Sequence, residues 1–187
     1  MTSLIRSLAV TIFAGFFAIA ALSPGAAYAA SSAQIDSDVD AALQELFASS
    51  PVARMLSQEA KGILVFPSIV KAGFIVGVQG GNGALRQDGK TTGYYNTASA
   101  SYGLQAGIQK FGYALIFMSD SALRYLDKSG GWEIGVGPSI VIVDAGVAKA
   151  LTTTTAKKEI YAFFFSQKGL MAGIGLQGTK ITRIEPD

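Results

Sequence analysis

The sequence predicts a mainly β fold of the α+β class: an antiparallel, strongly curved or partly closed, barrel-like sheet with N-terminal helices and one short internal helix. Segments of β-forming residues interleaved with glycine recur at 73–86, 101–118, 132–147 and 159–184. Turn signals rather than long helices separate these segments, which favours antiparallel connections. The chain also has 22 glycines, which are unfavourable in ordinary strands but typical of bulges, bends and close backbone approach in a coiled sheet.

Helical periodicity is confined to the start of the predicted domain. Ile35, Val39 and Leu43 recur at spacings of four between residues 34 and 48, with acidic residues at the other positions. This pattern predicts an amphipathic helix. Ser50-Pro51 then starts a second helix to about residue 60, with proline in the first turn, where its missing N–H costs nothing.

Turn and capping residues divide the rest of the chain. Ile63 to Phe66 is a short apolar run that we expect to end at Pro67. Asp88-Gly89 is a hairpin signal. Ser119-Asp120 caps the one internal helix that we predict.

Residues 1–29 have the composition of a secretory signal peptide. Arg6 precedes an uncharged apolar stretch from Leu8 to Leu22, and Ala27 and Ala29 provide the small residues of a cleavage site after Ala29. An uncleaved anchor is disfavoured because the stretch is shorter than the roughly 20 residues that span a bilayer. We therefore expect export to the periplasm, the outer-membrane periphery or the medium, with a helical segment at 30–59 and a β domain at 60–187.

The composition offers few of the residues that catalysis or metal binding usually requires. The chain has no cysteine and no histidine, which excludes disulfides, thiolate nucleophiles, a Ser-His-Asp triad and histidine metal sites. Residues 173–178 match G-x-G-x-x-G, but no helix or acidic residue follows as dinucleotide binding requires. Four downstream carboxylates lack calcium-loop spacing; they are Asp120, Asp127, Glu133 and Asp144. We predict a non-enzymatic protein with no catalytic residue, metal or cofactor.

Charge is distributed unevenly along the chain. The formal net charge is only +2, and the first acidic residues, from Asp36 to Glu45, precede Arg54 with no base among them. From Arg54 onward, 14 basic residues face 9 acidic ones. This mildly basic body favours anionic surfaces, but it lacks the strongly basic stripe of a nucleic-acid-binding protein. We therefore expect no nucleic-acid partner.

Several blocks of sequence, in order, resemble the SYLF domain family in its secreted bacterial branch. The blocks cover residues 60–67, 71–77, 80–85, 101–107, 131–138 and 162–170. The resemblance extends over about residues 50–187, although Tyr94-Tyr95-Asn96-Thr97 stands where eukaryotic members have a Trp-Ser-x-Pro-like segment. It implies a non-enzymatic lipid-binding module; eukaryotic relatives usually bind phosphoinositides, and some bind actin. For an exported bacterial protein, it implies anionic membrane lipids as partners.

Five cationic residues near turns are our candidates for binding lipid headgroups, because lysine and arginine pair with phosphate. They are Lys71, Arg86, Lys110, Lys157 and Lys158. The alternative for each is an ordinary solvated charge. Lys157-Lys158 is the best cluster, because it follows the threonines at 152–155 in a predicted loop.

Two other functions remain open beside lipid binding. One is a structural or interaction protein of the envelope, with an unidentified protein partner. The other is a small outer-membrane β-barrel. The lack of a terminal aromatic residue in segment 183–187 argues against this alternative.

Overall fold

The computed structural model describes residues 31–73, 76–102, 107–128, 130–152, 154–169, 176 and 178–187. The predicted signal peptide lies outside the described residues, as does most of the 173–178 motif. No helix in the described ranges is long and apolar enough to cross a membrane.

Both predicted N-terminal helices are present. Helix α1 spans Ser32–Ser49, and the hydroxyl of Ser31 accepts a hydrogen bond from the Gln34 amide at 3.3 Å. Helix α2 spans Pro51–Ser57, where Ser50 caps in the same way and proline occupies the first turn. Side-chain capping satisfies amide groups that a helix N-terminus otherwise leaves unpaired.

A curled, eight-stranded half-barrel sheet forms the body and confirms the mainly β prediction. Its strands are β1 (Gly62–Gly73), β2 (Val76–Gln87), β3 (Lys90–Tyr102), β4 (Gly107–Phe117), β5 (Trp132–Glu133), β6 (Ile140–Ile142), β7 (Ile160–Gly169) and β8 (Lys180–Ile184). Their order is β5-β8-β3-β2-β1-β4-β7-β6, with β6–β7 as the one parallel pair of these eight. Each of β1 to β4 is therefore hydrogen-bonded on both sides.

The expected end of the first strand at Pro67 is wrong, because β1 continues through this residue to Gly73. The pairing of β1 with β4 shifts register between Phe66 and Ile69. Proline has no N–H to donate to a ladder, and a bulge is where a strand tolerates that loss. Because the bulge accommodates Pro67, β1 continues past this residue to Gly73 instead of ending there.

Turn predictions succeed where a short motif determines the backbone. Asp88 and Gly89 have φ values of 49° and 74° and join β2 to β3. Positive φ at both central residues is the type I′ geometry that suits the twist of a hairpin. The internal helix α3 (Asp120–Leu123) is capped by Ser119 as expected and runs into a 3₁₀ turn at Arg124–Asp127.

The predicted strand texture at 132–147 is only partly correct. A second internal helix, α4 (Ala145–Ala150), follows the short strands β5 and β6. One carboxylate oxygen of Asp144 accepts hydrogen bonds from the amides of Gly146 and Val147, both at 2.8 Å. Short apolar runs do not distinguish strand from helix by periodicity, and here the aspartate cap favours the helix.

Two apolar cores lie on opposite faces of the sheet. We call the face that carries Phe66, Leu115 and Trp132 the inner face. The outer face packs residues such as Val65 and Ile116 against the buried side of α1 and α2. Alternating side chains of one strand thus supply both cores.

A buried hydrogen bond joins two strands on the inner face. The hydroxyl groups of Thr97 and Tyr113 lie 2.7 Å apart, and both residues are buried. Burial raises the pKa of Tyr113 above its usual range, opposed by the weaker effect of the Thr97 hydrogen bond. The phenol is therefore a neutral structural group.

Candidate functional site

Five strands extend beyond the part of the outer face that α1 and α2 cover. We call this region the distal end; it comprises the parts of β1, β2, β3, β4 and β7 that lie within residues 69–82, 96–110 and 166–169. These sequence ranges contain three lysines, Lys71, Lys110 and Lys168, and no acidic residue. The strands of the distal end are thus cationic, and one helix carboxylate lies at their border, where Glu45 of α1 accepts a hydrogen bond from the Ser166 hydroxyl at 2.6 Å.

Two of these lysines stand side by side on the outer face. Lys110 of β4 pairs with Lys168 of β7 on one side and with Val70 of β1 on the other, and both lysines are exposed. Directly paired residues of antiparallel strands place their side chains on the same face. The row across five strands reads Ala98, Gly80, Val70, Lys110, Lys168.

Lys71 projects from the opposite face. It is only 8% exposed and pairs with Gln109, whose side chain is also buried. Lys71 and Lys110 therefore share the distal end, but only Lys110 joins Lys168 on the exposed surface.

A second row on the outer face is apolar and lies next to the lysines. Ala72 of β1 pairs with Val78 of β2 and with Ile108 of β4. The exposed fractions are 42% for Val70, 57% for Val76, 59% for Val78 and 67% for Ile108. The distal outer face thus combines exposed branched apolar side chains with two lysines that form no ion pair with any residue the structure describes.

Arg86 lies at the other end of the sheet, where it connects β2 to α1. Its Nη2 atom donates to Asp40 at 2.6 Å and to the Asp36 carbonyl at 3.1 Å. Asp36 also accepts from the hydroxyls of Thr91 at 2.6 Å and Tyr94 at 2.9 Å. Burial, followed by the hydrogen bond to Asp36, raises the pKa of Tyr94, so the phenol remains a donor. Arg86 stays a predicted headgroup ligand, but its guanidinium here contacts α1 and the Thr91 hydroxyl of β3.

Replacing Arg86 with glutamine is expected to lower the free energy of unfolding by about 2 kcal/mol, because charged hydrogen bonds of a half-buried group are lost. Chemical denaturation followed by circular dichroism measures this change. Arg124→Gln, at an exposed position of the 3₁₀ turn, is the matched control and should change stability by less than about 0.5 kcal/mol. Equal stability of the two variants would contradict a clamping role for Arg86.

Lys157 and Lys158 are exposed in the loop between α4 and β7. The amide of Lys158 donates to the Tyr161 hydroxyl at 3.1 Å, which fixes the loop against the strand. The hydroxyls of Thr152 and Thr155 bond to each other and to nearby backbone. Because β7 runs from this loop to Lys168, the two lysine pairs lie at opposite ends of the strand, and the eight residue steps from Ile160 to Lys168 span roughly 26 Å at about 3.3 Å each.

The structure therefore does not gather the five predicted residues into one site. Lys71 and Lys110 lie at the distal end, whereas Arg86 and the Lys157-Lys158 pair lie near the opposite end. Sequence reasoning missed Lys168 and the apolar row, because their proximity arises from the pairing of β4 with both β1 and β7. Strict alternation from Phe165 on the outer face would have put Lys168 on the inner face, and the register shift between β4 and β7 instead places it beside Lys110.

The described ranges form several open grooves at their surface. They contain no group of three acidic residues placed to hold a metal ion. A groove of about 420 Å³ beside β5 and β6 is lined by residues such as Ile134, Pro138, Ile140 and Leu176, and none of its lining side chains is titratable. This groove offers apolar contact rather than acid–base chemistry.

Sequence comparison matches part of the chain to one family of known proteins. The Ysc84 family model, described as "Las17-binding protein actin regulator", matches residues 98–185. This match covers somewhat less than half of the chain, and it supports the resemblance to the SYLF (Ysc84) family. SYLF domains are generally non-enzymatic binding domains, and the family is linked to lipid and actin binding in homologues.

The chain is also similar to mammalian proteins named SH3 domain-containing YSC84-like protein 1. The human protein is 29% identical over 128 residues, which is 65% of this chain and 36% of the human protein. The rat protein is 28% identical over 126 residues, covering 65% of this chain and 37% of the relative. The match thus spans little more than a third of these relatives.

Proposed function

We propose that this protein is a non-enzymatic lipid-binding protein that recognises anionic phospholipid or phosphoinositide-like headgroups at a membrane surface. The observation that carries the proposal is the cationic distal end, where Lys110 and Lys168 are exposed side by side and neither forms an ion pair with a described residue. Ammonium groups attract an anionic bilayer surface with about 1 kcal/mol each. Lys71 would add positive potential from the inner face of the same end.

Charge separation along the molecule supports a defined orientation. Three of the four acidic residues of α1 lie in its first half, near Arg86; they are Asp36, Asp38 and Asp40, whereas Glu45 reaches Ser166 at the border of the distal end. An acidic helix is repelled by anionic lipid. The electrostatic preference is therefore for the distal end to face the membrane while α1 faces away.

Export determines which lipids the protein would meet. The composition of residues 1–29 supports export, and a bacterial envelope offers phosphatidylglycerol, cardiolipin and lipopolysaccharide as anionic ligands. We propose the periplasm or the outer-membrane periphery as the place of action. The mass of the recovered protein tests this directly, since cleavage after Ala29 removes a calculable segment.

Vesicle flotation tests the proposed function. Protein recovered after export is mixed with neutral phosphatidylcholine vesicles or with vesicles containing phosphatidylglycerol or cardiolipin, at low and at high salt. The expected result is flotation with the anionic vesicles alone, weakened by salt because exposed charges are screened. Failure to float with any composition would overturn lipid binding and favour the interaction-protein alternative.

The variant Lys110→Gln/Lys168→Gln is expected to bind anionic vesicles about 30-fold more weakly, since two contributions of about 1 kcal/mol are lost. Both residues are exposed, so the fold should be retained. Titration with vesicles measures the affinity, and thermal unfolding verifies the fold. Unchanged affinity in a folded variant would exclude these lysines as the headgroup contact.

A further inference from the structure

We propose that the apolar side chains of the distal outer face enter the interfacial layer of an anionic bilayer, while Lys110 and Lys168 contact the headgroups beside them. We call the residues Val70, Val76, Val78 and Ile108 the apolar patch. The proposal rests on the proposed function and goes beyond it. It assigns the surface that docks on the membrane, and it adds insertion of apolar side chains to the electrostatic attraction of the lysines.

The apolar patch is an unusual concentration of exposed side chains. Six large apolar residues are exposed in the described part of the chain, and four of them form the patch. Scattered exposed apolar residues are ordinary, but a contiguous group marks an interaction surface. Exposed alanines, Ala98 and Ala100, extend the patch onto β3.

Strand pairing fixes the shape of this surface. The row of Val78, Ala72 and Ile108 crosses three adjacent strands, and the row of Val70, Lys110 and Lys168 runs beside it. Strands lie about 4.8 Å apart, so the five strands span roughly 19 Å. Such a surface can bring several side chains to the same depth in a bilayer and keep the lysines at the headgroup level.

Charge favours a bilayer over a second copy of the chain as the occupant. The distal end carries lysines and no acidic residue in its sequence ranges. Two copies joined through this surface would bring Lys110 and Lys168 of both copies together, while the nearby carboxylate of Glu45 is already bound to Ser166. Such an arrangement of like charges is unfavourable. An anionic lipid surface instead supplies negative headgroups and an apolar layer beneath them.

The absence of native cysteine allows a site-specific test of depth. Single variants Val78→Cys and Ile108→Cys are labelled with an environment-sensitive fluorophore, and Gln58→Cys at the exposed end of α2 is the matched control. On vesicles containing phosphatidylglycerol, the two patch probes should shift to shorter wavelength and be quenched by brominated lipid chains. The Gln58 probe should show neither change.

A second measurement removes the apolar character without a label. Val78→Thr/Ile108→Thr keeps branching at Cβ and should weaken vesicle binding about tenfold, with a residual affinity that salt abolishes. Val136→Thr/Ile142→Thr alters the two exposed apolar residues outside the patch and should bind like the unaltered protein.

The outcomes separate the two proposals. Three results together would overturn insertion and leave headgroup binding intact. The protein would float with anionic vesicles, the spectra of the patch probes would not shift, and the Val78→Thr/Ile108→Thr variant would bind like the unaltered protein. Protein that floats with no vesicle would overturn both. Spectral shifts that depend on protein concentration without vesicles would show a second copy on the patch and would also overturn the proposal.

Discussion

Trp132→Ala is expected to lower the free energy of unfolding by about 4 kcal/mol, within the range for a buried large aromatic residue. The side chain is 1% exposed and lies between the rings of Phe117 and Tyr125, with centroid separations of 6.1 and 6.2 Å. Its indole N–H donates to the Val136 carbonyl at 2.9 Å. Removal would leave both a cavity and an unpaired acceptor.

Urea denaturation followed by far-ultraviolet circular dichroism measures this loss, since the variant has no tryptophan for fluorescence. Trp132→Phe is the matched control and should cost less, because a ring still fills much of the site. A loss below about 1 kcal/mol in the alanine variant would show that Trp132 does not anchor the inner core.

Gly83→Ala is the second large effect, with an expected loss of about 3 kcal/mol from overpacking. A Cβ atom added at Gly83 would lie 2.0 Å from the carbonyl oxygen of Val65 and 2.7 Å from the ring of Phe66. Backbone of the neighbouring strand cannot move away without disturbing the bulge in β1. Close approach, rather than a left-handed conformation, therefore requires glycine at this position.

Gly130→Ala provides the control for this variant, because nothing lies within 4 Å of its added Cβ atom. Its stability should remain within about 0.5 kcal/mol of the unaltered protein. Denaturation midpoints of the two variants give the comparison. Equal and small effects at Gly83 and Gly130 would mean that β1 and β2 tolerate a wider separation.

Local signals in the sequence were sufficient for local structure. The spacing of Ile35 and Val39 predicted α1, and Asp88-Gly89 predicted the β2–β3 hairpin, because each depends on nearby residues alone. Pro67 misled the prediction because a bulge depends on the register of two neighbouring strands. The glycines were correctly interpreted as points of close approach, as Gly83 shows.

The candidate site was harder to predict, because its residues meet through the order of the strands. Arg86 has the chemistry of a phosphate ligand, but the pairing of β2 with α1 surrounds it with Asp36 and Asp40. Lys110 and Lys168 are 58 positions apart in the sequence and become neighbours only when β4 pairs with β7. Sequence alone gives charge and alternation, but not which strands are adjacent.

Comparison of the two lysine pairs tests the central claim most directly. The affinity of Lys110→Gln/Lys168→Gln for phosphatidylglycerol vesicles is measured beside that of Lys157→Gln/Lys158→Gln, which removes the same charge from the opposite end of β7. Binding through the distal end predicts a loss of about 30-fold for the first variant and less than about threefold for the second. The reverse order, or equal losses, would contradict recognition through the distal end.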